Sequence, residues 1–501
     1  MKDTYFDSNF DDSAFYHVDD ITAADLNLDE LAEKLDSTFT TPGSSVFRYC
    51  LRHQCKSSSD LDERIFMESL FEADQSLRDS VQAILKGLGR QKIGDIADEI
   101  WGTTGDYFLK YINHFRIWMA VSLSMVGLSL IFNFYPILLI MLVAIVNICI
   151  HHRTTLYIGT HVESIRYLGS MKFACFKIKR LLGNCEVSER LAVPSLVRSL
   201  DLIPINPVLT FGNTAGPGDV LGVFLEYYKV FLLGELSSYF RFYSAFRTHR
   251  NIVEDLYHFL GHLDVACCVS RIRGDWASCS VHMIPSADCS DHVSKCSIIT
   301  ADMYNPLVEN YVPISLSMNG DMMITGTNMS GKTTLLRTLG LNQVLATTFG
   351  FSFASEFRTS FFHVVSSIII NDDLLQGRSR YLAEAQRMLE IIRSAVNGVK
   401  LILIDEILTG TNNADRVVAA VNILSRLGDT DSLVMATTHD LEIATGVSGK
   451  YATHYFCEEM SDNDLKFDYS LKPGIVDRRN ALKILEHLGF GDFINMDVHV
   501  A

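Results

Sequence analysis

Through the first hundred residues, apolar side chains recur every three or four positions, as from Leu77 to Leu88, which predicts helices with one buried stripe. The pattern then breaks, because no residue from Ile117 to Ile150 is charged. A helix in water keeps a polar face; this stretch has none, which predicts a segment that sits in lipid. As one helix it would run about 51 Å, far beyond the ~30 Å hydrocarbon core of a bilayer. The interruption Asn133-Phe-Tyr-Pro136 divides it into two arms, each slightly short of a full span. Lys110 and Arg116 precede the run, and His151, His152 and Arg153 follow it. Basic flanks favour the cytoplasm, so the expectation is a transmembrane helical hairpin over 117–150 with both ends on that side. Helical spacing resumes afterwards and culminates in an aromatic-rich amphipathic stretch from Val220 to Arg271, including Phe224, Tyr227, Tyr228, Phe231, Leu232 and Leu236. Beyond residue 286 the runs shorten: Met322 to Ile324, Leu401 to Ile404 and Leu433 to Ala436 are continuously apolar and then turn polar. Such runs predict buried parallel strands whose carboxyl ends face a ligand crevice.

Composition adjusts this picture at three places. The 501 residues allow several domains, which are read as 1–34, an acidic flexible arm; 35–116, helical; 117–150, the hairpin; 151–285, helical again; and 286–501, α/β. The arm carries Asp7, Asp11, Asp12, Asp19 and Asp20, which excludes a secretory signal peptide, since that begins basic and then apolar. A formal net charge of −16 disfavours broad adhesion to nucleic acid, which needs clustered Lys and Arg. Lys172, Lys177, Lys179, Arg180 and Arg190 form a modest basic group, read as juxtamembrane. Eleven cysteines without a Cys-x-x-Cys pair fit reduced cytosolic thiols. Cys279, His282, Cys289, His292 and Cys296 have a zinc-like spacing, but the stretch reads better as two short strands leading into the α/β region.

Candidate chemistry concentrates at the ends of the three apolar runs. Gly326, then four residues, then Gly331-Lys332-Thr333 is a phosphate-loop pattern between a strand and a helix, as its mechanism requires. Small residues admit phosphate, backbone N–H groups and the helix N-terminus supply donors, and Lys332 adds a cation. Thr333 would hold Mg²⁺ through its hydroxyl. Asp405 would stand behind the same ion, and Glu406 is placed to act as general base on the attacking water. His439, at the end of the third run, would reach the γ-phosphate.

The phosphate loop, Thr325-Gly326-Thr327-Asn328-Met329-Ser330-Gly331-Lys332-Thr333-Thr334, resembles that of the MutS family of mismatch-repair ATPases, related to the ABC class. The family's loop reads close to Thr-Gly-Pro-Asn-Met-Gly-Gly-Lys-Ser-Thr. Asp405-Glu406-Ile407-Leu408-Thr409-Gly410-Thr411 is similar to its Asp-Glu-Ile and Gly-Thr turn, and Asp372-Asp373-Leu374 with Gly377-Arg378-Ser379 and Glu384 is similar to its next signature. Residues 467–475 and 480–489 resemble the closing strand and helix. Thr327 and Ser330 depart from the family's Pro and Gly, and Asn305-Pro306 stands where His-Pro is usual.

The resemblance implies an α/β P-loop ATPase domain of the ABC/MutS type at the C-terminus, preceded by a mostly α-helical core and lever domain carrying the hairpin. It implies ATP and Mg²⁺, with Gly326, Asn328, Ser330, Gly331, Lys332, Thr333 and Thr334 around the phosphates and Thr333 and Asp405 at the metal. Lys332, Glu406 and His439 would be catalytic. It also implies a homodimer with composite ATP sites, in which Ser379 reaches the partner's nucleotide; on the residues alone, Gly377-Arg378-Ser379 could equally start a helix. Tyr311 is the nearest candidate to stack on adenine. DNA binding of the mismatch-repair type is implied too. Core-like sequence begins near Leu35, leaving no room for the family's mismatch-reading domain, so the alternative is a membrane-associated switch with a protein or lipid client.

Overall fold

The computed structural model describes residues 15–102, 112–131, 136–183, 186–205, 227–284, 297–327, 330–368, 380–396, 398–408, 413–461 and 464–475. The chain forms two compact units, each assembled from separate segments: residues 37–47 with 67–268, and residues 12–36 with 48–66 and 269–501.

The first unit is helical. Asp74 and Asp95 start the helices Gln75–Leu88 and Ile96–Trp101 by accepting the N–H groups of Leu77 and Ala97, which satisfies donors that a helix start leaves open. Asp264, fully buried in the helix Arg250–Asp275, accepts from the backbone N–H groups of Phe39 and Thr40 and from the Thr40 hydroxyl at 2.6–3.1 Å. The apolar run forms the helices Ile112–Ile131 and Pro136–Leu182, which pack together through a bond from the Trp118 indole N–H to Asn147 Oδ1 at 2.9 Å.

The transmembrane hairpin expected over 117–150 is not borne out as a pair of membrane spans, and its bounds differ as well. Its second arm does not stop at Ile150, because no proline interrupts the following residues and apolar positions continue at helical spacing to Leu182. This helix turns by 76° between Leu138–Thr154 and Ile158–Leu182. Among the described residues no single helix is long and apolar enough to cross a membrane; only the bent pair meets that test together.

The second unit holds a mixed six-stranded sheet. Its strands are β1 (Met322–Thr325), β2 (His363–Ser367), β3 (Lys400–Asp405), β4 (Leu433–Thr438), β5 (Ala452–Ser461) and β6 (Asp464–Pro473), in the order β2-β3-β4-β1-β5-β6. The first five run parallel and β6 returns antiparallel to β5. Central strands sealed on both faces need apolar side chains at every position, and β1 and β4 are buried throughout. Met323, Ile402, Ile404, Val434 and Ala436 pack against Met388, Leu424 and Ile443 from the helices Arg380–Ala395, Asn413–Gly428 and Leu441–Val447. The helix Lys332–Phe349 is enclosed along nearly its whole length, and its buried polar side chains Asn342, Gln343 and Thr347 are hydrogen-bonded. A four-stranded sheet joins 282–283, 356–359, 298–303 and 314–318.

The expected acidic flexible arm is folded over its described part, residues 15–34, while residues 1–14 lie outside the described ones. Val18, Ala23, Leu26, Leu28 and Leu31 are buried, and the acids between them have partners. Asp19 caps the helix Asp20–Asp25 and pairs with Arg387 at 3.0 Å. Thr22 Oγ1 accepts the Ser366 N–H, and Asp25, 1 % exposed, accepts from the Ser366 hydroxyl at 2.6 Å and the Ile368 N–H at 2.8 Å. This N-terminal strap thus satisfies β2, an edge strand of the sheet, along its otherwise open side.

At the other end of β2, His363 Nε2 lies 2.8 Å from the His17 carbonyl oxygen and the His363 ring stacks on Tyr16. Burial, with His53 beside one and Lys400 beside the other, pushes the imidazoles of His17 and His363 down to about 4. The folded unit then binds fewer protons than the unfolded chain between about pH 6.5 and 4, so this contribution is whole above 6.5 and is lost as the pH falls towards 4. Denaturation midpoints of the second unit are expected to drop across that window, and His363→Gln to flatten the drop. An equally steep drop in the variant would remove His363 from the account.

Candidate nucleotide site

The parallel order brings the carboxyl ends of β3, β4 and β1 side by side, with Asp405 opposite Thr437 and Thr438 opposite Thr325. After β1 the chain turns through Gly326 at φ 155° and Gly331 at φ 96°, a backbone that favours glycine, and then starts the helix at Lys332. Lys332 is 4 % exposed, and its ammonium donates to the carbonyls of Gly326 and Thr327 at 2.8 and 2.6 Å. Ser330 donates its hydroxyl to the same Thr327 carbonyl at 2.8 Å. Thr334 follows in the first turn of the helix.

Thr333 donates its hydroxyl to Asp405 Oδ2 at 2.5 Å, while the Thr437 hydroxyl donates to Oδ1. A hydroxyl and a carboxylate held together are hard oxygen donors of the kind Mg²⁺ takes, its other positions going to water and phosphate oxygens. Thus the residues fit that ion. Zinc has less support: Cys279 and His282 lie in two short strands, and Cys289, His292 and Cys296 lie outside the described residues. Among the described residues no group of three or more His, Cys, Asp or Glu could hold a metal.

Glu406 sits just past β3 at φ 49°, a left-handed backbone rare for a side chain of its size, with its N–H on the Thr437 carbonyl at 3.1 Å. Its Oε1 meets His439 Nδ1 at 3.1 Å, and both side chains remain partly open to solvent. His439 is held from behind. Asp440 caps the helix Leu441–Val447, donates its N–H to Thr438 Oγ1, and receives Arg416 at 2.9 Å.

Next to the phosphate loop lies a cavity of about 200 Å³ bounded by Asn310, Tyr311, Val312, Gly331, Thr334 and Phe456. Two aromatic rings beside a phosphate loop offer flat apolar surface to a planar base. Burial raises the Tyr311 phenol above its usual range.

Of the residues expected from sequence, Gly326, Ser330, Gly331, Lys332, Thr333, Thr334, Asp405, Glu406 and His439 come together at this edge, with Tyr311 on the adjoining cavity. Asn328 and Ser379 lie outside the described residues. Sequence reasoning missed Thr437, Arg416 and Phe456. Thr437 had a signal, as a hydroxyl two residues before His439, but its role depends on strand register.

The fold and these groups define a phosphate-loop nucleotide-binding domain with a paired acid and histidine. Residues 322–496 match the family model for MutS domain V, which places this part of the chain in the MutS family. It is 31% identical over 206 residues to an "Endonuclease MutS2" of Clostridium kluyveri, covering 40% of this chain and 26% of that protein. It is 25% identical over 295 residues to a "DNA mismatch repair protein MSH3" of Candida glabrata, covering 55% and 28%. A MutS2 endonuclease of Streptococcus sanguinis is 27% identical over 256 residues, covering 50% and 31%. The chain therefore spans about a quarter to a third of the length of the curated relatives it matches.

Proposed function

We propose that the chain binds Mg²⁺-ATP and hydrolyses it, and that the energy drives rearrangement of a homodimer tethered to a membrane by the apolar hairpin. The observation carrying this reading is the convergence of Thr333 with Asp405, and of Glu406 with His439, at one sheet edge. Lys332 turns from the loop carbonyls to the β- and γ-phosphates, while Thr333 and Asp405 hold the metal. Mg²⁺, when bound, neutralises charge on the phosphates. Glu406 orients the attacking water and takes its proton; His439 holds Glu406 in place and contacts the γ-phosphate oxygens. Tyr311 and Phe456 flank adenine. Ser379 completes the site from the partner, so that hydrolysis is tied to dimer contact.

The membrane reading rests on apolar side chains that both arms expose, among them Leu123, Leu128, Ile131, Leu138, Met141 and Ile145. Burying such groups is favourable by roughly 25 cal/mol per Å² of apolar surface, and a bilayer offers that burial without a protein partner. On this reading the nucleotide unit is cytoplasmic. A DNA client is the second reading, favoured by the relatives' names, endonuclease and DNA mismatch repair protein.

The test is Mg²⁺-ATP turnover by the full chain in liposomes, beside Asp405→Asn, with and without duplex, mismatched and branched DNA. Turnover lost in the variant is the expected result. A rate equal in both proteins would sink the ATPase reading, and stimulation by DNA would select the second client over a protein or lipid one.

A further inference from the structure

Resting on the membrane reading above, we infer that the hairpin enters the bilayer from one face and ends inside it, with Trp118 fixed at headgroup level. Length gives the first argument. From Trp118 to Ile131 the first arm rises about 20 Å, and from Pro136 to Asn147 the second rises about 17 Å, against a hydrocarbon core of ~30 Å. Neither arm reaches the far headgroups. Among the described residues of the two arms, Ile131 at 75% and Leu138 at 74% are the most exposed apolar side chains.

The second argument is the polar clamp at the base. Asn147 is 2% exposed; its Oδ1 accepts from the Trp118 indole at 2.9 Å and its Nδ2 donates to the Phe231 carbonyl at 2.7 Å. A buried amide amid apolar arms is costly unless both its ends are bonded, and here both are. The clamp ties the hairpin to the segment bearing Tyr227, Tyr228, Phe231 and Leu232, all exposed. Aromatic rings with polar edges concentrate where acyl chains meet headgroups. His152 and Arg153, also exposed, follow within two turns of Asn147, and Arg153 fits an anionic headgroup layer. Trp118 and the aromatic segment therefore form a shelf that stops insertion at one depth, and the occupant of the apolar arms is the lipid of the near leaflet and the bilayer centre.

The test uses the full chain in proteoliposomes with the nucleotide unit outside. Flotation comes first: a protein that stays in the dense fraction as a discrete oligomer has its arms covered by a second copy, which overturns the membrane reading and this inference together. For protein that floats, tryptophan emission is read with lipids brominated near the headgroup or deep in the chains. Shallow bromines are expected to quench at least twofold more than deep ones, and Trp118→Phe to abolish the difference. Ile131→Cys is expected to react with an impermeant maleimide neither from outside nor from reagent trapped inside, as read by peptide mass spectrometry, until detergent is added. Labelling by the trapped reagent, or stronger quenching by the deep bromines, would overturn the one-sided insertion alone and leave the membrane reading standing.

Discussion

Glu406→Gln is expected to lower the turnover number for ATP about a thousandfold, within the range that loss of a general base produces, while leaving ATP affinity within about threefold. The substitution conserves shape, and glutamine can still reach His439, so the 3.1 Å contact need not be lost. The left-handed backbone at φ 49° is also unchanged, held by the Glu406 N–H on the Thr437 carbonyl. Only proton acceptance and one charge disappear. The phosphate loop, with Lys332 and Thr333, is untouched, so binding persists and the nucleotide-loaded form accumulates. Single-turnover hydrolysis measured beside equilibrium binding of a fluorescent ATP analogue separates the two quantities. An unchanged rate would place the base elsewhere; a large loss of affinity would mean that the charge serves binding.

The second large effect is on stability. Asp264→Ala is expected to cost the helical unit about 4 kcal/mol, because it leaves the Phe39 N–H, the Thr40 N–H and the Thr40 hydroxyl buried without their acceptor. Gly43 packs so close that an added Cβ would meet Asp264 Oδ2 at 2.2 Å, so the carboxylate reaches its donors only beside a residue without a side chain. Asp264→Asn is expected to fall between wild type and alanine, since its amide presents a donor where the site supplies only donors. Calorimetry reads this as a lowered transition for the helical unit, and an unshifted transition in Asp264→Ala would show that the three donors find other partners.

What could be read from residues alone follows physical range. The phosphate loop and the acids at the ends of apolar runs depend on local spacing, so Lys332, Thr333, Asp405, Glu406 and His439 can be read as candidates from the sequence, and the fold brings them to one sheet edge. Thr437 and Phe456 were not, because their places depend on which strands become neighbours. The acids at positions 19 and 25 look like a solvated tail when their neighbours are counted, yet their partners Arg387 and Ser366 lie 368 and 341 residues away. Charge along the chain cannot show pairing at that distance. The hairpin shows the same limit in milder form: absence of charge marked the segment, while the bend between Thr154 and Ile158 and the run to Leu182 left no mark in composition.

The strap across β2 also sets an order of events during synthesis. Thr22 and Asp25 leave the ribosome more than 340 residues before their partners Ser366 and Ile368. At about 5–20 residues per second they wait roughly 20–70 s, longer than most elementary folding steps take. During that interval Leu26 lacks Leu403 of β3, beside which it lies in the folded unit. The hairpin is translated inside the same interval. It is therefore complete before the strap can close on β2, so the apolar helices are made and exposed ahead of the finished sheet.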